Sequence, residues 1–167
     1  MTNKSIGLIQ KIRKATGAGV MDIKRALEEA GEDEVKILEI LKEKGFDKAA
    51  KRIGRELKAG LIASYIHSNG RIGALVEVGC ETDFVAKNEE FRTFVSDLAM
   101  QIAATNPKVV SREEAEESGK VADEEILLLQ PFIKDQDKTI GELLTEKIAK
   151  IGENIQIKRF ARFEVGE

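Results

Sequence analysis

Apolar residues recur at helical spacing three times in the first 45 residues, and this pattern predicts three short helices. Ser5 and Asp33 are suitable N-cap residues for the first and third helix. The expected helix ends are Gly17, Gly31 and Gly45. The residues expected to face inward are Leu8, Ile9, Ile12, Ile23, Ala26, Leu27, Ala30, Val35, Leu38 and Leu41. We therefore predict a compact three-helix module over residues 1–45, a length close to the lower limit for independent folding.

A β-hairpin is predicted after a charged connector, residues 46–58, which we expect to be partly helical. Alternating apolar and polar residues flank Asn69 and Gly70, a pair that favours a two-residue hairpin turn. Such a turn fixes the register of the two strands. The expected pairs are Ser68 with Arg71, His67 with Ile72, Tyr65 with Ala74, Ala63 with Val76, Leu61 with Val78, and Ala59 with Cys80.

The remaining pattern predicts more helices and a third strand. Asn88 is a suitable N-cap for a long helix that Pro107 ends, with an apolar stripe formed by Phe91, Phe94, Val95, Leu98, Ala99, Ile102 and Ala103. Ser111 and Thr139 begin capping-box patterns, and Asp123 could cap a helix through Leu129. In the final strand we expect one face to carry Ile155, Ile157, Ala161, Phe163 and Val165, with Arg159 out of pattern. The predicted class is α+β, and residues 59–167 form a core in which a small antiparallel three-stranded sheet packs with helices.

The corner between the hairpin and the long helix contains a large apolar residue, Phe84, beside Asp83. Corners of this kind are usually short and polar. Two interpretations are open on the pattern alone. Phe84 either turns inward and covers the core, as buried phenylalanines commonly do, or is presented to a partner protein.

Composition narrows the setting of the protein. The chain has 167 residues, of which 42% are hydrophobic, so it can bury a core. The lone cysteine excludes an internal disulfide and favours a reducing compartment. No apolar run is long enough to span a membrane, and the N-terminus lacks the pattern of a secretory signal, so we expect a cytoplasmic protein without a membrane partner. The net charge of −3 is uneven, but the basic excess near the N-terminus lacks interleaved aromatic residues, so we expect no nucleic-acid partner.

Motifs for catalysis are not found in the sequence. The glycine-rich turn at residues 16–19 follows a predicted helix and lacks the Gly-Lys-Ser/Thr ending of a phosphate loop. His67 and Cys80 fall at opposite ends of the hairpin, too far apart for a thiol–imidazole pair within one chain. With one His and one Cys, the sequence predicts no metal site.

Two stretches together resemble the bacterial elongation factor Ts family. Residues 16–24, Thr-Gly-Ala-Gly-Val-Met-Asp-Ile-Lys, with Ala26 and Leu27, are similar to the N-terminal module of that family. Residues 81–88, Glu-Thr-Asp-Phe-Val-Ala-Lys-Asn, resemble its core signature, and Gly152-Glu153-Asn154-Ile155 with Arg159-Phe160 are similar to its C-terminal part. The resemblance runs from about residue 6 to the end.

The resemblance implies guanine nucleotide exchange on elongation factor Tu, without an enzymatic active site and without a cofactor. The exchange factor would disturb the magnesium site of the GTPase and promote release of GDP. The corner residues implied in this contact are Thr82, Asp83, Phe84 and Val85. The N-terminal module would be ubiquitin-associated-like and would also contact the GTPase, through Thr16, Gly17, Ala18, Gly19, Val20 and Met21.

The chain has sequence for one three-stranded sheet, whereas longer relatives of the family carry a second core subdomain and a coiled-coil insertion. Short relatives compensate by pairing, and an uncovered edge strand would also favour a partner, so we expect a homodimer through the core sheet. Two other functions stay open. One is a binding adaptor whose three-helix module recognises a partner, and the other is a hydrolase in which His67 and Cys80 meet across a dimer.

Overall fold

The computed structural model describes residues 3–16 and 18–167. In chain order the helices are α1 (Asn3–Thr16), α2 (Val20–Ala30), α3 (Glu34–Ala50), α4 (Asp83–Ala86), α5 (Glu89–Thr105), α6 (Arg112–Ser118) and α7 (Ile140–Ile151). The strands are β1 (Ala59–Ile66), β2 (Ile72–Cys80), β3 (Pro131–Phe132), β4 (Asp135–Thr139) and β5 (Ile155–Glu164). The predicted α+β class is confirmed.

The three predicted N-terminal helices are present and enclose a small core. Its buried members are Ile9, Ile12, Ile23, Ala26, Ile37 and Leu41. Asp33 caps α3 as predicted, accepting hydrogen bonds from the backbone N–H groups of Val35 and Lys36. Gly31 ends α2 as predicted, whereas the predicted end at Gly17 lies outside the described residues. Ser5 is not the N-cap of α1, because the helix already includes Asn3.

Helix α3 differs from its prediction in both its face and its length. Val35 and Leu38 are exposed, and Ile37 is buried in their place. The helix continues through Gly45 to Ala50, because its second half packs against α7 and Ala49 joins the main core there. Arg52 reinforces this contact by donating a hydrogen bond of 3.0 Å to the backbone oxygen of Ile148.

The main sheet has the order β1-β2-β5, with both neighbours antiparallel to β2. The predicted hairpin register is confirmed over the paired strands, including Tyr65 opposite Ala74 and Ala59 opposite Cys80. The third strand is also confirmed. Its predicted face is wrong beyond Ile157, since Ile157 lies opposite Val78 whereas Arg159 lies opposite Glu77.

Lys158 is therefore an extra residue, and this β-bulge reverses the faces of the strand. After the bulge, Phe160 and Arg162 lie opposite the buried residues Val76 and Ala74. Phe163 and Val165, which the alternation placed inward, are 71% and 59% exposed.

Helix α5 covers the inner face of the sheet. Asn88 caps it as predicted, and the predicted apolar stripe is buried along its whole length. The chain then forms α6, capped by Ser111, and two 3-10 turns, Asp123–Glu125 and Leu127–Leu129, where we had expected one helix. The small β3–β4 hairpin was not predicted. Thr139 and Glu142 form the predicted capping box of α7, which Gly152 ends.

Candidate functional site

The corner between β2 and α5 is built from two helix caps in close succession. Strand β2 ends at Cys80, and the hydroxyl of Thr82 accepts a hydrogen bond of 3.4 Å from the backbone N–H of Val85. This cap begins α4, a single helical turn. Asn88 then caps α5 by accepting a 2.8 Å hydrogen bond from the N–H of Glu90. Because both caps are short-range and polar, the five residues between them form a defined corner without a loop.

Phe84 points away from the protein at this corner. Its side chain is 88% exposed, and Asp83 beside it is also exposed. Val85 and Ala86, in contrast, are half-buried against the main core. Of the two interpretations that the sequence left open, the inward-facing one is wrong: Val85 covers the core and Phe84 projects into solvent. An exposed large aromatic next to a carboxylate is the kind of surface that partner proteins bind.

The corner is tied to the start of β5. The carboxylate of Glu153 accepts hydrogen bonds from the N–H groups of Glu81 and Thr82, at 3.1 and 3.0 Å, and from the hydroxyl of Thr82, at 2.6 Å. In return the carboxylate of Glu81 accepts a 2.6 Å hydrogen bond from the N–H of Asn154. The backbone N–H groups of Glu81 and Thr82, just before α4, are therefore fixed by the side chain of Glu153, 72 and 71 residues further along the chain.

The N-terminal residues of interest lie on the turn between α1 and α2. The hydroxyl of Thr16 donates to the oxygen of Ile12 and accepts from the N–H of Ala18. Ala18 and Val20 are half-buried against the core of the module, whereas Gly19 and Met21 are exposed, Met21 by 60%. Gly17 lies outside the described residues.

His67 and Cys80 lie at opposite ends of the hairpin. The N–H of His67 pairs with the oxygen of Ile72 beside the turn, whereas Cys80 lies opposite Ala59 at the far end. Burial raises the pKa of the Cys80 thiol, and the charge of Glu153 raises it further. The thiol donates to the oxygen of Thr82, so it contributes to the corner as a neutral, buried group.

No three His, Cys, Asp or Glu side chains in residues 3–16 and 18–167 are grouped so that they could hold a metal ion. None of the helices in these ranges combines the length and apolar character needed to cross a bilayer.

Comparison with known proteins places this architecture in a family. The family model for elongation factor TS matches residues 9–119 and 118–167. An elongation factor Ts of Carboxydothermus hydrogenoformans is 49% identical over 191 aligned positions, which cover 96% of this chain and 88% of the relative. Those of Caldanaerobacter subterraneus subsp. tengcongensis and Desulforamulus reducens are 47% and 44% identical and cover 95% and 100% of the chain, with 95% and 91% of their own lengths aligned.

The chain belongs to the elongation factor Ts family. Its alignment with the Carboxydothermus elongation factor Ts is longer than the chain itself, so that relative contains residues that this member lacks. The two segments matched by the elongation factor TS model overlap at residues 118–119, at the C-terminal end of α6. This part of the chain is remote in sequence from the Phe84 corner.

Glu153 and Glu81 are residues of the corner that sequence reasoning missed. Both lie in stretches that carry the family resemblance, but a single sequence does not indicate that the two stretches touch. The predicted third strand could have indicated them. Pairing Cys80 with Ile155 brings the loop after β2, which contains Glu81, next to the loop before β5, which contains Glu153.

Proposed function

We propose that this protein is a guanine nucleotide exchange factor for elongation factor Tu, and that Phe84 is the residue it inserts into the GTPase. The observation that carries this proposal is the exposure of Phe84, at 88%, on a capped and braced corner. A rigid aromatic side chain can enter a partner at little cost in conformational entropy. Thr82, Asp83 and Val85 would form the rest of the contact.

The mechanism requires no chemistry on the exchange factor. Mg²⁺ bridges the phosphates of a bound nucleotide and offsets their charge, so shifting its ligands or the nearby helices weakens GDP binding. Coupling of this kind is reciprocal: the factor lowers the affinity for GDP by the same ratio by which GDP lowers the affinity for the factor. We therefore propose a cytoplasmic translation factor that needs no cofactor of its own.

The energetic demand exceeds what one residue supplies. Each tenfold weakening of GDP requires about 1.4 kcal/mol of differential affinity. A buried aromatic anchor contributes about 2 kcal/mol or more when it is a hot spot. A large acceleration thus needs further contacts, and we propose that the ubiquitin-associated-like N-terminal module supplies them at residues 16–21, where Met21 is exposed.

We also propose that two copies associate through the outer face of the main sheet. Ile62, Ile66, Leu75 and Phe163 are exposed there. Ile66, Leu75 and Phe163 also line an apolar groove of about 390 Å³. We refer to this surface as the outer sheet face. A second copy offers the same apolar strands in a self-complementary arrangement, which is the geometry of a two-fold dimer.

One titration separates exchange from simple binding. Elongation factor Tu loaded with a fluorescent GDP analogue is mixed with increasing concentrations of the protein, and both complex formation and nucleotide release are recorded. The exchange function predicts release that accelerates with concentration and saturates. Binding without accelerated release would overturn it and would favour the adaptor function instead.

A further inference from the structure

The loop after β2 and the loop before β5 lie side by side, because Cys80 pairs with Ile155. Each of the two loops provides a carboxylate that accepts hydrogen bonds from the backbone of the other. Glu153 accepts the N–H groups of Glu81 and Thr82, and Glu81 accepts the N–H of Asn154. All of these groups are half-buried or buried, where an amide without a partner is costly. The hydrogen bonds accepted by the carboxylates of Glu81 and Glu153 therefore hold the end of β2 to the start of β5. We refer to this set of hydrogen bonds as the Glu153 clamp.

The hydroxyl of Thr82 connects this clamp to helix α4. A hydroxyl has one proton, and Thr82 donates it to Glu153 at 2.6 Å. The oxygen is then left as an acceptor, and it faces the N–H of Val85. Glu153 thus fixes the orientation in which Thr82 caps the turn that carries Phe84.

Helix α4 depends on its ends because its own packing is weak. It has four residues, none of them fully buried. A single turn is unfavourable in isolation, since ordering the first turn costs more than its one hydrogen bond returns. Its direction is therefore set by the cap at Thr82 and by the partial burial of Val85 and Ala86.

The backbone on both sides of Glu153 is also fixed. It follows Gly152, whose positive φ of 89° ends α7 in a conformation that favours glycine. On its other side the side chain of Asn154 is buried and donates a 2.9 Å hydrogen bond to the oxygen of Arg55. The carboxylate consequently projects from a rigid turn, as a positioning group must.

We propose that Glu153 is a positioning residue for the contact made by Phe84: through Thr82 it holds α4 in the orientation that presents the aromatic ring. This inference rests on the proposed exchange function for its consequence, but the clamp itself is testable without the GTPase. Without the Glu153 clamp, the ring of Phe84 would stay exposed but become mobile. Binding to the GTPase would then have to order the ring, at a cost in conformational entropy.

The first experiment measures release of a fluorescent GDP analogue by Glu153→Ala, Glu153→Gln and Phe84→Ala, alone and combined. We expect Glu153→Ala to lower the second-order rate of release about tenfold, because three donors lose their acceptor. Glu153→Gln keeps an acceptor for the two amides and should lose only about two- to threefold. In the Phe84→Ala background, either Glu153 substitution should produce no further loss, since Glu153 acts through the ring.

Two results would overturn the inference in this experiment. One is a wild-type rate for Glu153→Gln or Glu153→Ala. The other is a loss that persists undiminished when Phe84 is already alanine, because Glu153 would then act independently of the ring. If Glu153→Ala does not fold, the same cycle with Glu153→Gln decides the question.

The second experiment uses the protein alone. The chain has no tryptophan, so Phe84→Trp introduces a single tryptophan at the corner, whose fluorescence can be excited selectively over that of the one tyrosine. Adding Glu153→Ala should lower the fluorescence anisotropy of this tryptophan, whereas unchanged anisotropy would overturn the proposal. Glu142→Ala is the matched control, because Glu142 accepts the N–H of Thr139 at the opposite end of α7 and should leave the anisotropy unchanged.

The two experiments fail in different ways. If the wild-type protein does not accelerate GDP release, the proposed exchange function fails, and the anisotropy measurement still decides whether Glu153 holds the corner. If the wild type accelerates release but Glu153 shows no coupling to Phe84, only the positioning role fails.

Discussion

Phe84 and Phe91 show how differently two identical residues of one short stretch are used. Phe84 is 88% exposed on α4, whereas Phe91 is completely buried on α5. Phe84 lies two positions after the cap Thr82 and Phe91 three positions after the cap Asn88, so the local sequence around them is similar in kind. The two side chains differ in burial because α5 packs on the sheet over its whole length, whereas α4 is too short for all its residues to reach the core.

The stability of two alanine variants tests this difference. We expect Phe84→Ala to change the free energy of unfolding by less than about 0.5 kcal/mol, as for other exposed positions. Phe91→Ala should lower it by about 3–5 kcal/mol, because it leaves a cavity in the core. Urea unfolding followed by circular dichroism measures both. A large destabilisation by Phe84→Ala would show that the ring packs against the core in solution.

The sequence located this corner but did not orient its side chains. The pattern placed residues 80–88 between a strand and a capped helix, and that placement is confirmed. Within this stretch, the family resemblance singled out Thr82, Asp83, Phe84 and Val85. Whether Phe84 or Val85 turned inward depended on the direction of α4. That direction is set by the cap at Thr82 and by the partial burial of Val85 and Ala86. Glu153, which contacts Thr82, is distant in sequence, and no local pattern indicates its contact.

At the level of elements, α3 shows that a glycine does not always end a helix. Gly45 lies inside α3, and a β-carbon added there would meet the β-carbon of Ala149 at 3.5 Å, an ordinary contact. The helix continues because its second half gains burial against α7, which exceeds the modest helix penalty of glycine.

Substitution of Gly45 should therefore be stabilising. We expect Gly45→Ala to raise the free energy of unfolding by about 0.5–1 kcal/mol, since alanine is the better helix former and has room. Gly31→Ala is the matched control: its φ of 66° is unfavourable for alanine, so that variant should lose stability. Thermal unfolding of the two variants measures the sign, and a destabilised Gly45→Ala would contradict the packing described for α3 and α7.

Helices α5 and α7 are joined by Glu90, which contacts Lys147 at 2.7 Å and Lys150 at 3.0 Å. Burial alone would raise the pKa of Glu90, but the hydrogen bonds and charges of the two lysines outweigh it and lower the pKa below the ordinary value. A carboxylate with a lowered pKa in the folded state adds stability at neutral pH. That stability is lost as the pH falls below the ordinary glutamate range and through the lowered value.

Glu90→Gln should therefore reduce stability by about 1 kcal/mol at pH 7, and its effect should shrink in acid, where Glu90 itself becomes protonated. Unfolding at a series of pH values from neutral to acid measures this. Glu89→Gln is the control, because it lies in the same first turn of α5 and shares the helix dipole. Equal effects of the two substitutions at every pH would assign the stabilisation to the dipole and contradict the lysine contact.

The strands show where periodicity succeeds and where it fails. The β1–β2 register followed from the turn at Asn69 and Gly70, because a two-residue turn leaves no freedom in pairing. The second half of β5 was assigned to the wrong face, since one extra residue at Lys158 reverses every later side chain. Nothing in the local pattern distinguishes that bulge from a regular strand with Arg159 out of place.

At the level of the whole molecule, the β-bulge at Lys158 determines which side chains of β5 lie on the outer sheet face. It turns Phe163 outward, where the ring joins Ile66 from β1 and Leu75 from β2. A contiguous apolar surface of this kind is unusual for a protein that stays monomeric. The proposed homodimer therefore depends on side chains such as Phe163, which a regular strand without the bulge would have turned toward the core.

Sedimentation velocity tests the dimer. We expect the wild type to sediment with twice the mass of the 18.5 kDa chain, and Leu75→Asp to sediment as a monomer, because a buried carboxylate would lack a partner at the interface. Ile53→Asp is the control, since Ile53 is 72% exposed but lies outside the sheet. A monomeric wild type at micromolar concentration would rule out the dimer.

The measurement that tests the exchange function most directly is GDP release from elongation factor Tu by the wild type, by Phe84→Ala and by Ile53→Ala. Both variants remove one exposed apolar side chain, but only Phe84 lies at the corner. We predict that the wild type and Ile53→Ala accelerate release equally and that Phe84→Ala is about thirtyfold slower or more, as expected for a hot spot of about 2 kcal/mol. Phe84→Ala as fast as the wild type, or no acceleration by the wild type at all, would contradict the proposed function.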